Sequence, residues 1–204
     1  MLWIVVTMRQ ETGSNQIFDN KKVSIQVKLG GRSFSADNIT IAEEIESVEF
    51  VIDTPRVTLA PREEVTLNSA SELLRIIGKP CRSSEQSVCS ELQAEIVAVM
   101  AIESTALNTI VDRWGSRATF TTPLLDMRHC EESCLTIDLT DKVCYMRLFE
   151  KGLQCAEAFD IATAEDVLYL ANEWLKSDST PIYIKGSAET AKLLRKYFKQ
   201  VICE

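Results

Sequence analysis

Three groups of residues have types and spacings that chemistry could use. The first is His129-Cys130 with Cys134, a run that holds the only histidine of the chain. Imidazole and thiolate are zinc ligands, but a structural zinc site takes four of them, usually in two closely spaced pairs. No C-x-x-C occurs, so the spacing points to a connecting loop whose thiols tuck into the core without a metal. The second group is Asp138 with Glu165 or Asp166. Two-metal phosphoryl chemistry needs three or four converging carboxylates. The next strand, Ile182-Tyr183-Ile184, ends in Lys185 and supplies no third acid, which favours Asp138 as a polar residue on a strand face. The third group is the glycines Gly30-Gly31 and the Gly186 of Lys185-Gly186-Ser187. Glycine turns let backbone N–H groups approach phosphate, but an adjacent pair is more often a hairpin turn, and a lone glycine is as readily a helix entry. G-x-S-x-G, G-x-x-x-x-G-K-[ST] and a dinucleotide fingerprint are all missing from the sequence. These patterns designate no catalytic residue.

Composition narrows the setting. The chain has 204 residues, 46% hydrophobic and 25% charged, which is ordinary globular usage and excludes disordered, collagenous and coiled-coil classes. Lys and Arg number 22 against 30 Asp and Glu, a formal charge of -8. That sign argues against a broad nucleic-acid or anionic-membrane surface. Lys192, Arg195, Lys196 and Lys199 then read as the solvated side of a helix. Seven cysteines, an odd number, follow an apolar start, Met1 to Val6, that is too short for a signal core. No apolar run approaches the ~20 residues of a membrane helix. The expectation is a cytoplasmic protein with free thiols and no membrane insertion.

The elements that must position these residues alternate in a regular order. Val23 to Leu29 alternates apolar and polar, turns at Gly30-Gly31 and returns over 32–36; Val48 to Ile52 is a third strand, with a short extended piece at 57–59. Ser69 and Glu72 have the spacing of a capping box for a helix that buries Leu73, Leu74, Ile76 and Ile77 and stops at Gly78 and Pro80. Residues 81–92 read as a polar connection. A buried strand over 94–100, a helix ending at Trp114-Gly115 and a strand over 118–121 complete the first half. In the second half, strands over 135–139, 143–149 and 153–159 are joined by turns at Asp141-Lys142 and Lys151-Gly152. Thr163 caps a helix, 181–184 is a strand, Ser187 opens the last helix, and 201–203 is the final strand. Each half thus reads as a three-stranded meander followed by helices alternating with parallel strands. The expected units are an N-terminal leader over 1–20 and two similar subdomains over 21–128 and 133–204.

This duplicated order resembles the ribonuclease H-like fold of the actin-like ATPase superfamily. Val23 to Val27 with Gly30-Gly31, Asp53-Thr54-Pro55 with Thr58-Leu59-Ala60-Pro61, and Ile96 to Met100 also resemble a bacterial family of unknown function grouped with that superfamily. The resemblance covers about residues 21–204 and extends to pilus and secretion assembly proteins that use the fold as a docking platform. It implies an α/β chain of two subdomains, each a mixed sheet flanked by helices. A pocket between the halves would be lined by Gly30, Gly31, Asp138, Thr140, Gly186 and Ser187. The superfamily's ATPases pair a glycine turn with a metal-organising acid in each half. Here Gly30-Gly31 stands with Gln26 and Lys28 instead of an acid, and Asp138 stands with Thr140-Asp141-Lys142 instead of glycines. The resemblance therefore implies a degenerate nucleotide site without cofactor, in a non-catalytic protein that binds another protein, with homodimerisation left open. The alternative it implies is an ATP-binding or ATP-hydrolysing switch using Mg-ATP in an atypical cleft.

Overall fold

A computed structural model describes residues 22–28, 46–66, 69–129 and 131–204. The Gly30-Gly31 turn, the return strand over 32–36, the leader over 1–20 and Cys130 lie outside the described residues. The chain divides into two compact units: one comprises residues up to Thr54 with Ala60–Thr122, the other Pro55–Leu59 with Pro123–Glu204.

In the first unit, β1 (Lys22–Lys28), β2 (Ser47–Asp53) and β6 (Ala118–Thr121) form a parallel sheet in the order β1-β2-β6. In the central strand, Val48, Phe50 and Ile52 are sealed from water. Phe50 packs 5.0 Å from the ring of Trp114 and 6.1 Å from Phe120. A strand with parallel partners on both sides needs such cover. The meander expected at the head of this half is therefore corrected among the described residues, because β1 and β2 are direct parallel neighbours. Direct parallel neighbours cannot be successive strands of a meander, whose neighbours run antiparallel.

A second sheet has the order β3-β5-β4, from β3 (Val57–Pro61), β4 (Glu85–Cys89) and β5 (Ile96–Glu103). Strand β4 occupies what reads in sequence as a polar connection. Its Glu85 is buried, and the carboxylate accepts from the Arg82 N–H at 2.8 Å, so an acid sits where alternation would place an apolar residue. Helix α1 (Ala70–Ile76) packs Ala70 and Leu74 beside Val97, Val99 and Ala101, while Ile76 and Ile77 are exposed, contrary to expectation. Its capping box also fails to form. Ser69 Oγ instead accepts from the Thr66 N–H at 2.8 Å, and Glu72 is drawn to Arg75 one turn on. Helix α2 (Ser104–Trp114) buries Ala106, Ile110 and Trp114, leaves Val111 exposed and ends at Gly115.

The second unit holds a five-stranded sheet of order β11-β10-β7-β8-β9. Strands β7 (Ser133–Leu139), β8 (Val143–Glu150) and β9 (Leu153–Asp160) form an antiparallel meander. Strand β10 (Ile182–Lys185) joins β7 in parallel, and β11 (Val201–Cys203) joins β10 in parallel. This is the meander plus parallel strands that the sequence order predicts for that half. Leu135, Ile137, Cys144 and Met146 cluster with Val167 and Ala171 of α3 (Ala164–Trp174) and with Ala191 and Leu194 of α4 (Ala188–Leu194). Each large aliphatic side chain so buried contributes about 1.5–3 kcal/mol. Cys144 pairs in register with Phe159, and Cys155 with Leu148, so the two thiols are not opposite one another. The six described cysteines are thiols. Among the described residues, no helix is long and apolar enough to cross a membrane.

Candidate functional site

Strands β7 and β10 run in parallel side by side, and their carboxyl ends open on a cleft of about 670 Å³ within the second unit. Leu139 and Thr140 line it from the end of β7, Thr163 and Glu165 from the start of α3, and Ser187, Glu189, Lys192 and Lys196 from α4 and its flanks. Thr140 and Ser187 both line this cleft, which belongs to the second unit alone. Gly186 has φ +100, and a Cβ on it would stand 2.1 Å from the Leu139 carbonyl oxygen. Glycine is required at that position so that the backbone leaving β10 can touch the end of β7.

The polar groups around this cleft are largely committed to the fold. Thr163 Oγ1 accepts from the Asp166 N–H at 3.3 Å, and Asp166 Oδ2 accepts from the Ala162 and Thr163 N–H groups at 2.8 Å each. Those backbone bonds hold the Asp166 carboxyl below the usual range. Ser187 Oγ accepts from the Thr190 N–H at 3.1 Å, and Thr140 Oγ1 from the Val143 N–H at 3.2 Å. An arriving phosphate would have to displace these caps to use the helix starts. The cations Lys192 and Lys196 are matched by Glu165 and Glu189.

Asp138 belongs to the other face of the sheet, since side chains alternate along a strand and Ile137 faces the helices. There its carboxylate accepts from the Arg147 guanidinium, which also donates to Thr136 Oγ1 at 2.8 Å and to the Pro123 carbonyl. The Arg147 side chain is 2% exposed and that of Asp138 14%. Sequence reasoning did not single out Arg147, although one cation inside the apolar run Val143 to Phe149 was a signal that an acid must face it.

The loop ahead of β7 gathers a second polar group on the elements of the same unit. His129 Nδ1 lies 2.9 Å from Glu132 Oε1, and Nε2 lies 2.9 Å from Glu204 Oε1. The imidazole stacks on Tyr183, with ring centroids 4.0 Å apart, and the Tyr183 hydroxyl donates to Glu132 Oε2 at 2.8 Å. Partial burial lowers the imidazole's affinity for a proton, but the bonds to Glu132 and Glu204 outweigh it and leave His129 above its ordinary value. The Cys134 thiol lies beneath this group, buried and pushed up to about 11, mainly by that burial.

No protein-family model matches the chain, and no curated protein matches it at a significant level. Among solved structures, a Bacteroides thetaiotaomicron protein described as having an actin-like ATPase fold and unknown function superposes with a TM-score of 0.65. The two chains are 18% identical, and the match covers 78% of this chain and 69% of that one. The cytoplasmic domain of EpsL, an inner-membrane component of the type II secretion system of Vibrio cholerae, matches at a TM-score of 0.44 and 12% identity, over 86% of this chain and 93% of that domain. An AlfA filament bound to AMPPNP matches at 0.36 and 11% identity, over 76% of this chain and 52% of that one. The first of these likenesses establishes a mixed α/β chain of the actin-like ATPase fold; at such identities it is a likeness of fold alone.

Asp138 and Ser187, which the sequence expectation gave to a nucleotide, both have partners within the second unit. The acid expected to organise the metal is bound to a buried arginine on the face away from the cleft. The helix starts at the cleft are already capped by Thr163 and Ser187.

Proposed function

We infer that this is a non-catalytic, cytoplasmic protein with a duplicated actin-like fold, and that it acts by binding another protein. The observation that carries this reading is the Arg147–Asp138 pair, which engages the acid that the sequence expectation assigned to a nucleotide-bound metal. Exposed Tyr169, Tyr197 and Ile202 on the second unit supply apolar and aromatic surface of the kind that protein interfaces use. Calorimetry and thermal unfolding with Mg-ATP test the reading. Binding at a hundred times its dissociation constant would add about 2.7 kcal/mol of stability, whereas no shift is expected. ATP affinity tighter than millimolar that is lost in Asp138→Asn would overturn it.

The second reading, an ATP-binding or ATP-hydrolysing switch, draws support from the cleft at the carboxyl ends of β7 and β10, where open α/β sheets take ligands. It calls for ATP binding that survives Asp138→Asn and is lost in Lys196→Glu.

A further inference from the structure

Among the described residues, a compact group of coordinating atoms lies around His129. The imidazole of His129, the carboxylate of Glu132 and the thiol of Cys134 each offer a ligand atom, and these atoms lie within 4.8 Å of one another. Donors of a tetrahedral zinc site stand about 3.3–3.8 Å apart, given bond lengths of roughly 2.0–2.3 Å. The side chains therefore need only small rotations to close on one ion. Cys134 is fixed on β7, while His129 and Glu132 sit on the loop leading into it, so the two loop residues would make the adjustment.

Proximity alone would be weak support, because an imidazole between carboxylates is a stable ion cluster without any metal. What distinguishes this group is the set of residues behind the three donors. Metal-bound histidines nearly always give their second nitrogen to a carboxylate, and metal-bound carboxylates are themselves hydrogen-bonded. Here Nε2 of His129 meets Glu204 Oε1 at 2.9 Å, which leaves Nδ1 on the side of Glu132. Glu204 is steadied in turn by Arg128, at 3.2 Å from its other oxygen. The outer oxygen of Glu132 accepts from the Tyr183 hydroxyl at 2.8 Å, so Oε1 is presented inward. The Tyr183 ring also lies flat against the imidazole, at an interplanar angle of 18°. Two donors are thus oriented by partners that do not compete for the same lone pairs.

Charge favours the same occupant. One carboxylate and one thiolate balance a divalent cation, while Arg128 is shared between Asp126, at 2.7 Å, and Glu204, at 3.2 Å. A nitrogen, oxygen and sulfur donor set suits a borderline-soft transition ion and disfavours magnesium or calcium, which take oxygen. We propose that His129, Glu132 and Cys134 form a mononuclear site for zinc or a chemically similar divalent transition-metal ion, with Glu204 and Tyr183 as positioning residues. The spacing of His129, Cys130 and Cys134 points away from a metal because it counts only histidine and cysteine; Glu132 is the donor that this count omits. The ion would tie the loop before β7 to β7 itself, with Tyr183 and Glu204 behind the ligands.

Cobalt(II) titration of the reduced chain tests this. One equivalent should develop a thiolate-to-cobalt charge-transfer band together with intense visible transitions of a four-coordinate ion, and zinc should abolish both. Cys134→Ser should remove the charge-transfer band. Since Cys134 is buried and its variant could fail to fold, His129→Gln and Glu132→Gln carry the decision, because they change loop residues. Each should weaken cobalt affinity at least tenfold, and Tyr183→Phe should weaken it about 10–100-fold. Cys144→Ser, on the helix-facing side of the sheet, should leave the spectrum unchanged. No band at one equivalent, or a band indifferent to both loop substitutions, would overturn the proposal and leave a hydrogen-bonded imidazole in its place.

Discussion

Arg147 on β8 and Asp138 on β7 are diagonal neighbours on one face of the sheet: Asp138 stands opposite Tyr145, and Arg147 opposite Thr136. The guanidinium reaches across that diagonal to the carboxylate from a position almost closed to water. Removing one partner leaves a buried charge uncompensated. Asp138→Ala should therefore cost about 3–5 kcal/mol in urea unfolding, whereas Arg147→Met with Asp138→Leu should cost far less than the two single changes summed. Additive single costs would show that the pair is not coupled.

Gly186 makes a second separation between architecture and ligand binding. Ala at Gly186 meets the Leu139 carbonyl oxygen as well as a disfavoured backbone angle, while Ala at Gly78, φ +76, meets nothing within 4 Å. Gly78→Ala should lose only the backbone contribution, about 1–2 kcal/mol. Gly186→Ala should lose more than that without any ligand present. Equal losses in denaturant titrations of the two variants would remove the close approach from the account.

How much of this could be read beforehand depended on where the partners lie along the chain. Thr163 with Asp166 and Ser187 with Thr190 are caps between neighbours three residues apart, so the starts of α3 and α4 were legible. The second-unit meander was legible too, because its alternating strands are joined by turns of few residues. Strand β4 was not, because its Glu85 breaks the apolar rhythm and is satisfied by a local backbone bond. Ser69 and Glu72 carried the letters of a capping box, but Thr66 and Arg75 compete for the same side chains and win. At the candidate sites, Asp138, Thr140, Gly186 and Ser187 were singled out by strand-end and helix-entry positions. Their division between two faces follows from pleat and from Arg147, which the motif reading left aside. Glu132 meets Tyr183 from 51 positions away, and His129 meets Glu204 from 75, distances that no local pattern spans.

Acid should weaken α3 through Asp166. Its carboxylate accepts backbone bonds from Ala162 and then Thr163, which place its folded pKa below that of the unfolded chain. A depressed pKa contributes stability that is complete above the unfolded value, about 3.9, and is lost as pH falls through the folded value. Asp166→Asn should therefore be less stable than the parent at neutral pH, with the gap closing in strong acid. Thermal midpoints of the two proteins across that range give the comparison; a gap that widened in acid would reverse the assigned sign.

The thiols should divide by the face and edge they occupy. Cys155 lies on the edge strand β9 and Cys203 on the edge strand β11, and both are exposed. Cys144 is buried between the sheet and the helices; that burial, with a smaller contribution from the Asp138 charge, raises its thiol to about 12. The thiolate is the reactive form, so at neutral pH Cys144 is protected both by access and by protonation. Modification there requires the β8 region to open, at a free-energy cost approaching that of unfolding. A thiol reagent added to the native chain should label Cys155 and Cys203 promptly, with Cys144 labelled only at the rate of unfolding. Mass spectrometry of tryptic peptides reads this directly. The same reagent on chain unfolded without reductant should consume all seven thiols of the sequence. Prompt native labelling of Cys144 would contradict its place in the core, and a shortfall of two in the unfolded chain would reveal a disulfide.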